Sequence, residues 1–137
     1  MKKLPRTVGE IMSETLIVLR EDETLSDLTD GMERFSLRHL PVLRGERLVG
    51  LVNHKDILRA MVALTQRTPY HEPLRVRDIM SSDPLTVPPE TPLGEAARLL
   101  LARKASCILV TDAQGSLLGI VTENDYLKLA SELLDRV

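Results

Sequence analysis

"GIVTENDY" (119–126) rewrites a phrase that the chain has already used as "GLVNHKDI" (50–57). Each copy places Gly first, then two apolar β-formers, a small polar residue, two variable positions and Asp. The echo extends in both directions. At an offset of 68, Val8, Ile11, Met12, Ser13, Leu25 and Val42 recur as Val76, Ile79, Met80, Ser81, Leu93 and Val110. One residue is inserted in the second copy. At an offset of 69, Leu48, Gly50, Val52, Asp56 and Leu58 then recur as Leu117, Gly119, Val121, Asp125 and Leu127. Self-similarity at a fixed period marks a duplicated structural unit. The repeats span 8–66 and 76–134, with 67–75 between them.

Both repeats parse into the same elements. A short helical turn opens each ("VGEIM", "VRDIM"), and Thr7 with Glu10 has capping-box spacing. An extended segment follows ("LIVL", "PLTV"). A helix is announced next by Thr24 in one copy, and by Thr91 with Pro92 at the first helical position in the other. Leu25, Leu28, Met32 and Phe35 share one face of the first of these helices; Leu93, Ala96, Ala97, Leu100 and Leu101 share one face of the second. "HLPVL" and "CILVT" read as buried strands. The turns "RGER" and "DAQGS" join them to "LVGLV" and "LLGIV", which completes two hairpins. A closing helix carries Ile57, Leu58, Met61, Val62 and Leu64, or Tyr126, Leu127, Leu129, Ala130 and Leu133. Pro69 and Pro73 keep the linker from continuing a helix. The pattern is α/β, β-α-β-β-α written twice. A unit this small cannot cover both its helices and a free sheet face alone, so the sheets are expected to pack face to face about a pseudo-twofold axis. A cleft is expected along that axis, with the "G-h-h-x-x-x-D" strands ending at it.

Composition narrows the function classes. The chain has 137 residues and a net charge of −2; the part up to Thr68 carries 11 basic and 10 acidic residues, the remainder 7 and 10. Neither half is a polycation, so nucleic acid is disfavoured as a partner. With no Trp, one Phe and two Tyr, the core must be aliphatic, and aromatic platforms for stacking single-stranded bases are scarce. The single cysteine, Cys107, excludes an internal disulfide and a Cys-rich zinc site, and reads as a small hydrophobe on a buried strand. His54 and His71 have no second ligand at metal spacing. "MKKLPRTVGE" lacks an apolar core of a signal peptide and no run approaches 18 apolar residues, so the expectation is a cytoplasmic chain without a membrane partner.

The motifs, from the Ile-Met openings through "TVPPETPLGEA" to "LVTDAQGSLLGIVTENDY", resemble the CBS (cystathionine-β-synthase) domain, present here as a tandem pair over nearly the whole chain. The resemblance implies a stand-alone CBS pair, a disc-like homodimer of pairs and regulation by adenosine-containing ligands: AMP, ADP, ATP or S-adenosylmethionine. It implies no required cofactor, with such a ligand acting as effector.

Thr122 with Asp125, and Asn53 with Asp56, are read in two compatible ways. Both pairs have the spacing of a helix capping box. In ligand-binding family members the same Asp accepts hydrogen bonds from both ribose hydroxyls and the Thr assists. A carboxylate suits that role because it is acceptor-only and takes two O–H donors. Resemblance also assigns Thr86, Ser106, Cys107 and Ile108 to a base pocket, and Arg38, His39 and Lys55 to phosphate. Arg38 near a helix end and Lys55 in solvent remain the structural alternatives. The first repeat departs from the pattern, with Val18 in place of Thr86 and Asn53 in place of Thr122. Basic residues in copy one and the fuller ribose set in copy two fit one ligand bridging both.

Two function classes follow. One is a ligand-sensing regulatory module read by an unknown partner protein; the other is a dimerisation module with an empty cleft. Catalysis is not expected, since no triad, metal cluster or phosphate loop appears.

Overall fold

Crowded Val, Leu and Ile on either side of a glycine-containing turn specify two hairpins, and both form. The computed structural model describes residues 3–25, 38–66 and 73–136. Its elements run α1 (Val8–Ile11), β1 (Leu19–Arg20), β2 (His39–Arg44), β3 (Arg47–Asn53), α2 (His54–Leu64) and α3 (Val76–Ile79). The rest are β4 (Thr86–Val87), α4 (Leu93–Arg103), β5 (Cys107–Thr111), β6 (Leu117–Thr122) and α5 (Glu123–Leu134). The helix expected over Leu28, Met32 and Phe35, and most of the linker with His71, lie outside the described residues.

Two three-stranded sheets result, ordered β1-β2-β3 and β4-β5-β6. In each, a short first strand runs parallel to the second, and the second pairs antiparallel with the third. The first hairpin turns through Gly45 at φ 62°, a backbone region that glycine enters without steric cost. The residue inserted in the second repeat falls in the matching turn. There Asp112 Oδ1 accepts the N–H groups of Gln114 and Ser116, both at 2.9 Å, and Gly115 takes the positive φ of 84°.

The compact units do not follow the sequence repeats. One unit holds residues 17–84; the other joins the chain up to Leu16 to everything from Leu85 onward. Each repeat's opening turn is thereby exchanged. Val8, from the first repeat, is fully buried in a core with Leu93, Ala96, Leu100, Ile108, Val110 and Val121 of the second. Val76, from the second repeat, is fully buried with Leu19, Leu40, Val42 and Val52 of the first. Both cores are aliphatic, as the scarcity of aromatics requires.

The exchange is fastened by matching contacts. Ser13 and Ile120 exchange backbone hydrogen bonds at 2.9 and 3.0 Å, and Leu51 and Ser81 do so at 2.9 and 2.8 Å. Beside these bridges lie the recurring glycines. A Cβ at Gly119 would sit 2.5 Å from Met12 Sδ and 3.0 Å from the Ser13 carbonyl oxygen. One at Gly50 would sit 2.5 Å from Met80 Sδ and 2.9 Å from the Ser81 carbonyl oxygen. Close approach of backbone is what glycine permits within a strand. The twice-written Ile-Met and the twice-written Gly are thus halves of one contact.

Three local readings shift. At α1 the capping box does not close: Glu10 accepts from the Arg6 N–H at 3.2 Å and from the Thr7 hydroxyl at 3.3 Å. Pro92 is the N-cap of α4, not its first helical residue, because it bridges to Thr7 in an extended conformation. Leu101 is 79% exposed, off the buried face held by Leu93, Ala96 and Leu100. The closing helices differ as well. Tyr126 and Leu129 pack on the core, and the Tyr126 hydroxyl donates to the Leu93 carbonyl at 2.8 Å. Leu58, Met61, Val62, Leu127 and Leu134, however, are all more than half exposed.

Gly50→Ala and Gly119→Ala should each lower stability by about 1–3 kcal/mol, the usual cost of overpacking a filled site. Urea unfolding reads the change; substitution without a change in midpoint would contradict the crossing geometry.

Candidate ligand-binding site

Each hairpin's last strand runs directly into a closing helix, and the junction carries the doubled phrase. In the first repeat the capping box is complete. Asn53 donates its backbone N–H to Asp56 Oδ2 at 2.8 Å, and Asp56 donates its own N–H to Asn53 Oδ1 at 3.0 Å. Arg59, one turn on, places Nη1 3.3 Å from Asp56 Oδ1. Asp56 is only 7% exposed, and both of its oxygens have partners. A buried carboxylate requires such pairing.

The second junction has the same backbone and a different side-chain economy. Thr122 donates its N–H to Asp125 Oδ2 at 2.8 Å, and its hydroxyl points to the same oxygen at 3.3 Å. Asp125 is half-buried, and no described residue bonds its Oδ1. The carboxylate therefore caps α5 with one oxygen and retains the acceptor capacity of the other. Capping and ligand binding do not compete for the same atom.

The remaining expected contacts divide between the two units. In the strand register Cys107 lies opposite Thr122, and Ser106 accepts the Glu123 N–H at 3.2 Å, so Ser106, Cys107, Thr122 and Asp125 converge. Thr86 is exposed and pairs with Leu109, two residues along β5 from Cys107. Ile108 points into the core and is fully buried; Ser106 is half-buried. A groove of about 400 Å³ opens toward the other end of β5, from Thr86 past Pro88 and Pro89 to Thr111 and Asp112. Of the expected contacts it includes Thr86 alone. In the other unit His39 lies opposite Asn53, which gathers Arg38, His39, Lys55 and Asp56 at one end of β2 and β3. Arg38 and Lys55 are exposed, and His39 is half-buried.

Arg59 escaped the sequence reading. Its signal was the Asp-x-x-Arg spacing, which brings two side chains together on a helix surface.

No group of three or more His, Cys, Asp or Glu side chains able to hold a metal converges among the described residues, and no helix among them is long and apolar enough to cross a membrane. Burial, with the Glu123 charge as a lesser cause, pushes the Cys107 thiol up to about 12. Thiolate is the reactive form, so this sulfur is unsuited to nucleophilic work at neutral pH. An unfolded chain's thiol ionises near 9, whereas the folded one holds its proton up to about 12. This group's contribution to stability is consequently present below pH 9 and falls as pH rises from 9 to 12. Iodoacetamide at pH 8 should alkylate Cys107 slowly in the native protein and rapidly in urea; equal rates would refute its burial.

The CBS domain family model matches residues 8–63 and 76–132. A CBS domain-containing protein of Dictyostelium discoideum is 30% identical, over 95% of this chain and 94% of that one. The chain also matches inosine-5'-monophosphate dehydrogenases of Methanocaldococcus jannaschii and Korarchaeum cryptofilum, 28% identical in each case, but spans only 23% and 24% of their lengths. Among solved structures it is similar to a putative acetoin utilization protein from Vibrio cholerae, with a TM-score of 0.84, 28% identity and 97% of both chains covered. It is similar also to CBSX2 in complex with AMP, with a TM-score of 0.82, 31% identity, and 94% of this chain and 98% of that one covered. Doubled motif, paired three-stranded sheets and these matches agree: the chain belongs to the CBS domain family, as a tandem pair.

Proposed function

We propose that the chain is a regulatory module that binds an adenosine-containing ligand and passes the binding event to a partner through the arrangement of a homodimer. The observation that carries this reading is the open Oδ1 of Asp125 beside the Thr122 hydroxyl. A ribose offers two adjacent O–H donors, and a half-buried carboxylate with a free oxygen is the acceptor such a diol requires. Ser106 and Cys107, next to Thr122 across the strand pair, supply the wall for the base, with Thr86 further along the sheet. Arg38, His39 and Lys55, gathered at the Asp56 junction, are the cations we assign to phosphate, which an arginine fork suits. The relative solved with AMP, 31% identical over nearly the full length, supports the ligand class.

Exposed apolar residues support the dimer. Leu58, Met61 and Val62 recur at helical spacing along α2, as Leu127 and Leu134 do along α5. Large apolar side chains left exposed along one helix suit an interaction surface. A ligand shifts the dimer only to the extent that it binds two arrangements with different affinity. The same exposed faces favour a second reading, a dimerisation module that works without ligand.

Melting the protein with AMP, ADP, ATP and S-adenosylmethionine separates the two. A ligand present at 100 times its Kd should add about 2.7 kcal/mol and raise the Tm by several degrees. Asp125→Ala should remove that rise. No rise with any of the four would favour the ligand-free reading, and a rise unchanged by Asp125→Ala would move the site elsewhere.

A further inference from the structure

The two junctions share a backbone but not a state of their carboxylates. Asp56 is nearly closed to solvent, with a side-chain exposure of 8%, and Arg59 lies over it with 76% of its own side chain exposed. The guanidinium therefore stands on the solvent side of the carboxylate and donates to the one oxygen that the capping box leaves over. The counterpart of Arg59 in the second repeat, at the same offset as Asp56 and Asp125, is Lys128. Lys128 is exposed and makes no ion pair with Asp125, whose Oδ1 stays open. An arginine reaches farther than a lysine and presents a planar fork of donors, so the two residues are not equivalent here.

We propose that Arg59 is an internal occupant of the Asp56 carboxylate, closing the first repeat's junction to an adenosine diol and limiting the chain to one ligand, at Asp125. The proposal rests on the ligand-binding reading above. It adds that the first junction keeps the acceptor and is blocked by a residue of its own helix. Position 53/122 adds a second difference: both side chains cap the N3 amide, but the Thr122 hydroxyl also donates to its carboxylate, at 3.3 Å, which the Asn53 amide oxygen does not. A diol arriving at Asp56 must first displace a charge-assisted hydrogen bond. That competition weakens its binding by roughly tenfold or more.

Isothermal titration of the full chain with AMP tests this, with circular dichroism confirming that each variant folds. Wild-type protein should bind one AMP per chain, and Asp125→Ala none. Arg59→Met should bind two, and Arg59→Met with Asp125→Ala should recover one. Arg59→Lys, which copies the second repeat, should also open the site. The reciprocal Lys128→Arg should weaken AMP binding at Asp125 several-fold. One AMP in both wild type and Arg59→Met would overturn the blocking role while leaving the ligand reading intact; weaker binding in Arg59→Met would overturn it too, by making Arg59 a ligand contact. No binding to wild type together with one AMP bound by Arg59→Met would remove Asp125 from the ligand reading and overturn the one-ligand limit, while upholding the blocking role of Arg59. No binding to any variant would overturn both.

Discussion

Met12 lies against Gly119, and Met80 against Gly50, and the rest of the structure depends on these two crossings. Each opening turn leaves its own repeat, exchanges two backbone hydrogen bonds with the last strand of the other repeat's hairpin, and delivers a valine to that core. Only glycine lets backbone and thioether come so close. Methionine suits the other side of the contact because its unbranched, polarisable chain fills an irregular gap. Neither core is complete without a segment from the other repeat, so the duplication yields two units that cannot be cut apart at the repeat boundary.

The crossings bear on the site because they grip the strands that end in it. Ile120, bonded to Ser13, is two residues from Thr122; Leu51, bonded to Ser81, is two residues from Asn53. Strand β6 is thus held on one side by β5 and on the other by the crossing segment, which fixes where α5 begins and where Asp125 projects. The two oxygens of the carboxylate then differ. Oδ2 satisfies the N-terminal amide of its helix, and no described residue bonds Oδ1. In the first repeat the same geometry is spent internally, on an amide and on Arg59. Matched junctions therefore hold their carboxylates differently, and the difference resides in side chains at two matched positions, 53/122 and 59/128.

Much of this was legible in the residues. Hairpin positions, the buried strands, the aliphatic cores and both Asp caps follow from local pattern: apolar runs broken by glycine turns, and a small polar residue three before an Asp. The glycines at 50 and 119 were readable as points of close approach or of a bulge. What covered them was not, because the approaching segment comes from about seventy residues away in the chain and no local pattern encodes it. The shift at Pro92 has the same origin, a bridge to Thr7 that a window around the helix start does not contain. Leu101 was misplaced for the opposite reason. Periodicity assigns it to a stripe, but the neighbouring elements cover only the part of that stripe around Leu93, Ala96 and Leu100.

By itself, then, the sequence determined the family, the doubled α/β plan and the candidate acceptors, since motif, period and spacing are local quantities. Tertiary structure decided which repeat each opening turn serves, that the closing helices turn Leu58, Met61, Leu127 and Leu134 outward, and that Asp125 keeps an open oxygen where Asp56 does not. The physical reason is that burial and hydrogen-bond satisfaction depend on what else arrives at a point in space. Asp56 and Asp125 are alike in sequence, and they are told apart by whether a guanidinium lies 3.3 Å from the second oxygen.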